Sequence, residues 1–315
     1  MTFSVIVPVH NAEKTIERCV DSLVHQDAET QIILVENGSE DDSYRLCREL
    51  AEKHRQVETY ICGSTGVSAA RNLGLLQARG DVIGFCDADD YYETDCLGAV
   101  ADAFDRTAAD LHITAFYLVG SGGKKLIAAE REEDISVSKA IDYYNNHPGI
   151  RGSVWNKFFR QELKPFMHFP EDLTHLEDGY MNAGVLTSRR ETKIHVSRIC
   201  TYNYVKNAEG ASRDLQKCFA ENGRLKYNIA LHRMIDEMTL TKGEKSSIRE
   251  QICRISTEYL YQDGDRLSGE MKAMLREEIR KTWLNYAARI FRYGSSHRIK
   301  YAIKGALILA GLIRR

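Results

Sequence analysis

Several features that define common protein classes are missing from this 315-residue sequence. Its eight cysteines include no CxxC pair and show no regular spacing, which argues against a structural zinc site. The longest apolar stretch, Gly305–Ile313, is far shorter than the roughly 20 residues that cross a bilayer. No internal repeat, low-complexity segment or apolar leader is present. These absences predict free thiols in a reducing cytoplasm and no membrane-spanning segment.

Neither sign of charge dominates. The sequence has 43 basic and 45 acidic residues, and the formal net charge of −2 provides no general attraction to nucleic acid. The charges are unevenly distributed, because residues 285–315 include seven basic residues and no acidic one. The first 284 residues carry the other 36 basic residues against all 45 acidic ones, a net charge of −9. This asymmetry predicts an anionic partner for the C-terminal segment.

Strand and helix patterns alternate over the first hundred residues. Continuous apolar runs at Phe3–Val9, Gln31–Val35 and Val82–Cys86 predict buried strands, and amphipathic helices lie between them, the first with Asn11 as its N-cap. This order is typical of a parallel sheet covered by helices on both faces. The polar clusters HNAE, ENGS and DADD each follow a predicted strand. Because ligands bind at the carboxyl ends of such strands, we expect the clusters to share one site.

Three aspartates occupy four positions after the strand that ends at Cys86. Asp87, Asp89 and Asp90 would repel one another unless a cation offset their charge. Carboxylates are preferred ligands of hard divalent cations, so the cluster predicts a site for Mg²⁺ or Mn²⁺ and for an anion that the metal holds. A solvated turn that also caps the next helix is the structural alternative.

The pattern changes after Asp110. Leu111–Val119 and Lys125–Ala129 flank GSGGK and predict a hairpin, whereas the phosphate-loop pattern GxxxxGK[ST] is absent. A helix is predicted from Glu177, followed by paired strands over residues 193–205. Beyond about Ser212 the sequence is helical almost throughout.

Four sequence blocks resemble those of family 2 glycosyltransferases with the GT-A fold. They are VIVPVHNAEKTIERCVDSLVHQ, IILVENGSEDDS, GVSAARNLGLLQARGDVIGFCDADD and VWNKFFRQEL…HLEDGYMNAGVL. The resemblance covers residues 3–105 strongly and 150–205 moderately, and the order and spacing of the blocks make it specific. The last hundred residues carry no assigned motif.

The resemblance implies an α/β fold of GT-A type, with a mostly parallel, Rossmann-like sheet covered by helices on both faces and a helical C-terminal extension. Residues 1–110 would form the nucleotide-sugar-binding half, 111–215 the acceptor-binding half of the same domain, and 216–315 a helical region ending in a basic amphipathic helix. The implied activity is inverting transfer of a sugar from a nucleotide diphosphate, with UDP as the expected carrier, to a hydroxyl of a glycan or lipid-linked acceptor. Synthesis of bacterial surface polysaccharide is the expected setting.

The resemblance also implies roles for residues of the first two thirds of the chain. The metal, Mn²⁺ or Mg²⁺, would be held by the DxD pair Asp87 and Asp89, with Asp90 as an additional ligand. Glu36-Asn37 departs from the acidic pair usual in the family but still offers acceptors and an amide to a base. The expected nucleotide-binding residues are Pro8, His10, Asn11, Glu36, Asn37, Arg71, Asp87, Ala88 and Asp89.

Inversion requires a base on the far side of the sugar, and the ED block points to Asp178. Its place at a predicted helix N-terminus favours the ionised form; a helix cap without catalytic role is the alternative, and Glu171-Asp172 is a competing acidic pair. Three residues are assigned to the acceptor: Trp155, Lys157 and Glu177. Core packing for Trp155 and a surface position for Lys157 are the alternatives. Three further residues are placed loosely near the site: Tyr202, Tyr204 and Ser212.

Two other functions remain open from the residues. A sugar nucleotidyltransferase would normally carry a glycine-rich basic loop after the first strand, which PVHNAEKT lacks, and the intact acidic motifs argue against a silent nucleotide-sugar-binding module. The C-terminal stripe formed by Ile299, Ala302, Ile303, Ala306, Leu307 and Ala310 predicts a basic amphipathic helix. This helix could contact the anionic inner face of the cytoplasmic membrane or pack on protein. Association with further copies of the chain is left open.

Overall fold

The computed structural model describes residues 1–147, 152–206, 218–220, 222, 224–293 and 296–310. The chain divides into two compact units, Met1–Asn207 and Ala208–Arg315. Residues 1–110 lie entirely in the first unit, as do residues 111–207 of the predicted second half. Ser212 lies outside the described residues.

Among the described residues, ten strands form one sheet in the first unit. The order is β3-β2-β1-β4-β9-β6-β10-β5, with β7 paired to β6 and β8 to β10. The strands are β1 (Phe3–Val9), β2 (Thr30–Glu36), β3 (Val57–Ile61), β4 (Val82–Phe85), β5 (Tyr91–Tyr92), β6 (Leu111–Gly120), β7 (Gly123–Ile127), β8 (Glu133–Ile135), β9 (Lys157–Arg160) and β10 (Ile194–Val205).

Helices connect most of these strands. The helices of the first unit are α1 (Ile16–Val24), α2 (Ser43–Lys53), α3 (Val67–Gln77), α4 (Cys96–Thr107), α5 (Val137–Asn146) and α6 (Glu177–Ser188). Gly74 brings α3 close to the sheet, because a Cβ atom there would overlap the side chain of Ile6 in β1. The contact between α3 and β1 therefore leaves no room for a side chain at residue 74.

The expected α/β fold is confirmed, and the structure refines its sheet. β3, β2, β1 and β4 are parallel, as the continuous apolar sequences of β1, β2 and β4 predict. Beyond β4 the sheet is mixed, because β9 runs antiparallel to both β4 and β6. The hairpin predicted around GSGGK is present as β6 and β7.

Two local predictions are wrong. Asn11 is not the N-cap of α1, since the helix begins at Ile16 after a turn in which Thr15 and Ile16 donate to the carbonyl of Ala12. Residues 193–205 do not form paired strands. Ile194–Val205 form the single strand β10, which pairs with β6 in parallel and shifts register between Val196 and Tyr202. In the sequence pattern, these register shifts look like a break between two separate strands.

The second unit is helical. Its helices are α7 (Lys226–Glu237), α8 (Lys242–Asp263), α9 (Gly269–Tyr293) and α10 (Ser296–Leu309). Thr241 and Glu244 start α8 with a capping box, in which each side chain accepts from the other residue's main-chain N–H.

The C-terminal helix α10 packs within this unit. Tyr301, Ala302 and Ile308 are buried in its core, and Trp283 Nε1 donates to the carbonyl of Ala302 at 3.2 Å. Ile303, which the sequence places on the apolar stripe, is 55% exposed. The packing alternative therefore holds for one face of α10, which is rotated from the predicted stripe.

Candidate active site

The loops that follow β1 and β2 contact each other through hydrogen bonds. Nδ1 of His10 lies 3.1 Å from the carbonyl oxygen of Asn37, and the main-chain nitrogen of Asn11 donates to Oγ of Ser39 at 3.0 Å. Oδ1 of Asn11 accepts from the nitrogen of Glu40 at 2.8 Å. The first two polar clusters thus lie together at the carboxyl edge of the sheet, as the strand order predicts.

Glu36 and Asn37 are buried at the end of β2, beside Pro8 of β1, whose register partner is Val35. Oε1 of Glu36 accepts from the main-chain nitrogen of Ser39 at 2.6 Å and fixes the turn. Oδ1 of Asn37 has no hydrogen-bond partner among the described residues. A buried acceptor of this kind is costly unless a ligand or water pairs with it.

The DADD segment forms a tight turn after β4. The nitrogen of Asp90 donates to the carbonyl of Asp87 at 3.0 Å, and Arg18 Nη2 donates to the carbonyl of Asp89 at 2.6 Å. Ala88 is buried, whereas Asp87 and Asp89 each keep part of their surface accessible. Asp87 and Asp89 therefore lie partly exposed on either side of the small, buried Ala88.

Asp90 is turned into the protein. Its Oδ2 accepts from the hydroxyl of Tyr202 at 2.8 Å and its Oδ1 from the nitrogen of Val205 at 2.7 Å. Burial, followed by the charges of Asp87 and Asp89, raises the pKa of Asp90 to about 8. The expectation that Asp90 adds a metal ligand loses its support, because both carboxylate oxygens are engaged and the side chain is enclosed.

Asp87 and Asp89 fit the expected divalent cation by their chemistry. Within the described part of the chain, no group of three His, Cys, Asp or Glu residues is arranged to hold a metal ion. Mg²⁺ is commonly bound through one or two carboxylates together with phosphate oxygens of the substrate, so a site of two carboxylates is sufficient for it. These two side chains offer that donor set.

Arg71 connects the DADD turn to α6. Its Nη2 donates to Oδ1 of Asp87 at 3.0 Å, and its Nη1 donates to Oε1 of Glu177 at 2.8 Å. Burial lowers the pKa of Arg71, but the carboxylates of Asp87, Glu177 and Asp178 outweigh it and hold the pKa above its usual value. The guanidinium is therefore a permanent cation between acidic groups.

Asp178 lies in the first turn of α6, as predicted, but its environment does not favour ionisation. Burial, reinforced by the charge of Glu177, raises the pKa of Asp178 to about 7. Arg71, the main-chain N–H of Gly179 and Lys157 act in the opposite direction. The position of Asp178 at the helix N-terminus therefore does not lower its pKa overall, because desolvation is the largest effect. A pKa near 7 nevertheless suits a general base at neutral pH.

Lys157 is fully buried in β9, so the surface alternative for this residue is wrong. Its Nζ donates to Oδ1 of Asn156 at 3.0 Å and lies 4.8 Å from the centre of the Tyr144 ring. Burial lowers the pKa of Lys157 to about 7, while Asp178 acts to raise it. Lys157 is therefore a buried titratable group that interacts electrostatically with Asp178.

Trp155 belongs to an aromatic cluster in the core and is only 5% exposed. Its ring is stacked on Tyr202, with centroids 4.5 Å apart, and nearly parallel to Tyr204, with centroids 5.5 Å apart. Phe116 meets the ring edge-on. This arrangement favours the packing alternative over stacking on an acceptor sugar.

The competing acidic pair lies outside this cluster of charges. Glu171 and Asp172 are exposed, and Oε1 of Glu171 accepts from Nδ2 of Asn72 at 3.3 Å.

Sequence reasoning missed two supporting residues of the site. Arg18 holds the carbonyl of Asp89, and Phe169 lies with its ring 5.4 Å from the guanidinium carbon of Arg71. Both contacts join residues more than 70 positions apart, and no local pattern indicates them. Tyr202, placed only loosely, proves to bind the DADD turn directly.

The sequence profile described as Glycosyl transferase family 2 matches residues 4–165. The chain belongs to this family. It is 28% identical over 198 residues to the uncharacterized glycosyltransferase EpsJ of Bacillus subtilis, which covers 61% of this chain and 58% of EpsJ. It is also 28% identical over 223 residues to the poly(ribitol-phosphate) beta-N-acetylglucosaminyltransferase TarS of Staphylococcus aureus, which covers 67% of this chain and 36% of TarS. The chain thus spans less than two thirds of either relative.

Solved structures confirm the fold. The structure of S. aureus TarS residues 1–349 in complex with UDP-GlcNAc aligns with a TM-score of 0.68 at 19% identity, covering 99% of this chain and 92% of that one. A mannosyltransferase from Pyrobaculum calidifontis, in complex with GDP-Man and Mn²⁺, aligns with a TM-score of 0.54 at 15% identity and covers 86% of that chain. In the described part of this chain, no helix combines the length and apolar character needed to cross a membrane.

Proposed function

We propose that this chain is an inverting glycosyltransferase that moves a sugar from a UDP-sugar to a hydroxyl of a glycan or lipid-linked acceptor in bacterial surface polysaccharide synthesis. Family membership and the fold shared with TarS support the reaction class. The observation that carries the proposal is the position of Arg71, which contacts both Asp87 and Glu177. This contact brings the donor-side turn beside the helix that begins with Glu177 and Asp178.

The nucleotide would bind where the first two loops meet. Pro8 in β1, with His10 and Asn11 after it, would contact the nucleotide from one side, and Glu36 and Asn37 at the end of β2 from the other. Oδ1 of Asn37, which has no partner in the described part of the chain, would offer a buried acceptor to a donor group on a base. A uracil N–H is a donor of the required kind, so this acceptor is compatible with UDP as the carrier.

Asp87 and Asp89 would hold a divalent cation together with the diphosphate. Bound there, Mn²⁺ or Mg²⁺ would neutralise the negative charge that develops on the leaving diphosphate. Arg18 holds the main chain of this turn through the carbonyl of Asp89.

Asp178 would act as the general base. The carboxylate accepts the proton of the acceptor hydroxyl as the oxygen forms a bond to the anomeric carbon. The bond between that carbon and the diphosphate oxygen breaks on the opposite side, so the configuration inverts and UDP departs with the electron pair. The pKa of Asp178 near 7 leaves a substantial fraction ionised at neutral pH and able to accept the proton.

The structure supports the three residues assigned to the acceptor to different degrees. Glu177 has one oxygen bound to Arg71 and keeps some exposure, so an acceptor contact through the rest of the carboxylate is compatible with its position. Lys157 acts on Asp178 from the buried side and would influence the acceptor only through that residue. Trp155 contributes packing beneath the site.

The proposal is tested by measuring UDP release from UDP-GlcNAc, UDP-GalNAc, UDP-glucose and UDP-galactose with Mn²⁺, using water as a slow acceptor. We expect one of these donors to release UDP with the wild-type chain and none to do so after chelation. Asp178→Asn should not release UDP. Asp172→Asn is its matched control and should release UDP like the wild type, because Asp172 is exposed and lies six residues away. Failure of all four donors both to bind and to release UDP would contradict the proposal.

We also propose that α10 contacts anionic lipid. Ile303 is exposed beside the buried face of the helix, and the C-terminal segment is exclusively basic among its charged residues. Deleting the helix would remove Tyr301 and Ile308 from the core, so Ile303→Glu is the better test. Sedimentation with phosphatidylglycerol vesicles should fall for Ile303→Glu and stay unchanged for Leu76→Glu, since Leu76 is 74% exposed but lies in α3. Equal sedimentation of both variants and the wild type would contradict lipid contact.

A further inference from the structure

The side chain of Arg71 is buried and already paired with carboxylates, unlike that of an arginine that is exposed to bind a phosphate. Its side chain lies on the buried face of α3 and the residue is 4% exposed. One terminal nitrogen is bound to Asp87 and the other to Glu177, residues 16 and 106 positions away in the sequence. The guanidinium therefore already has two anionic partners within the protein.

Three contacts fix the orientation of this group. The guanidinium fork is planar, so two simultaneous carboxylate contacts determine its plane and direction. The ring of Phe169 lies 5.4 Å from its central carbon and supports it from a third direction. These two contacts use one N–H of each terminal nitrogen, so a phosphate that approached either nitrogen would lie beside a partly enclosed carboxylate of like charge.

The two partners belong to the two sides of the proposed reaction. Asp87 lies in the turn assigned to the metal and diphosphate, whereas Glu177 precedes the base Asp178 in the first turn of α6. Holding Glu177 fixes the start of α6 and hence the main chain at Asp178. Inversion requires the base and the leaving group on opposite sides of one carbon, so the separation of these two segments matters directly.

We infer that Arg71 is a positioning residue, which holds the donor-side Asp87 and the α6 segment carrying Asp178 at a fixed separation, and that it is not a ligand of the donor phosphates. This inference rests on the proposed glycosyl transfer. It assigns to Arg71 a role in the rate of transfer and little role in donor affinity. Glu177 is then the residue through which Arg71 holds the start of α6.

The test combines steady-state UDP release with calorimetric titration of UDP in the presence of Mn²⁺. Arg71→Lys and Glu177→Gln should each lower kcat by about 100-fold, because small displacements of catalytic groups are costly. The Kd for UDP should stay within about threefold of the wild type, a difference well below one tenfold step in affinity. The double variant should be no slower than the slower single variant, since both remove one connection.

Arg79→Lys is the matched control. Arg79 follows α3, is exposed and pairs with Glu58 away from the site, so its replacement should change neither kcat nor Kd. Thermal unfolding of every variant identifies any that fail to fold. Glu177→Gln removes an acidic end of the connection while retaining the Arg71 cation, and it tests the inference even if Arg71→Lys does not fold.

Two results would overturn the inference. A large rise in the Kd for UDP in Arg71→Lys with kcat unchanged would identify Arg71 as a phosphate ligand. Additive losses of kcat in the double variant would show that Arg71 and Glu177 act independently. Either result with an active wild type leaves the proposed function intact, whereas a wild type that neither binds UDP nor releases it contradicts both.

Discussion

The hydroxyl of Tyr202 joins two parts of the DADD turn. It donates to Oδ2 of Asp90 at 2.8 Å and accepts from the main-chain nitrogen of Asp87 at 3.1 Å. Because β10 runs to Val205, whose nitrogen binds the other oxygen of Asp90, the end of this strand anchors the turn. The third aspartate of the motif therefore shapes the turn from within.

Replacing Tyr202 by Phe should weaken this anchor. The substitution leaves Oδ2 of Asp90 and the nitrogen of Asp87 without their hydroxyl partner, so we expect the free energy of unfolding to fall by about 1–3 kcal/mol. Urea unfolding measures the change, and Tyr44→Phe, at an exposed ring, is the control. An unchanged unfolding free energy would show that the hydroxyl contributes nothing to the turn.

Activity should depend on pH through Asp178. Burial and Glu177 raise its pKa to about 7, and only the ionised form can accept a proton. We expect kcat for UDP release to rise with pH and to reach half its maximum near pH 7. A kcat that is constant between pH 5.5 and 8.5 would rule out Asp178 as a base with this pKa.

Lys157 should set part of this pH dependence. Its charge acts to lower the pKa of Asp178, so Lys157→Met should move the midpoint of the kcat profile to higher pH. Lys125→Met is the control, because Lys125 is exposed in β7. A profile that stays in place or moves to lower pH in Lys157→Met would contradict the electrostatic link.

Asp178 should also reduce stability at high pH. Its folded pKa of about 7 lies above the ordinary value of 3.8, so between these values the folded state binds more protons than the unfolded state. Stability is then lost as pH rises through this window. The Tm of Asp178→Asn relative to the wild type should increase from pH 4 to 7 and then level off. A difference that shrinks over this range would reverse the assigned sign.

The sequence predicts β1, β2 and β4 well because these strands are buried on both faces. Continuous apolar runs at β1, β2 and β4 have few other interpretations, and polar loops at their ends must converge at one edge. β10 is harder to predict, since its register shifts interrupt the alternation that identifies a strand.

The roles of individual charged side chains depend on contacts that no local pattern contains. Arg71 meets Glu177 across 106 residues, and the direction in which Asp90 turns is decided by Tyr202. Lys157 is buried in a short strand whose sequence, KFFR, is equally compatible with a surface position. The site residues could be found from their motifs, but their partners required the fold.

The most direct test of the account separates donor binding from transfer in a single variant. Calorimetric titration of UDP with Mn²⁺ should give Asp178→Asn the same Kd as the wild type, because Asp178 lies outside the donor-side turn. UDP release from the preferred UDP-sugar should fall to background in the same sample, while Asp172→Asn retains both properties. Wild-type rates of UDP release from Asp178→Asn would contradict the assignment of the base and, with it, the proposed mechanism.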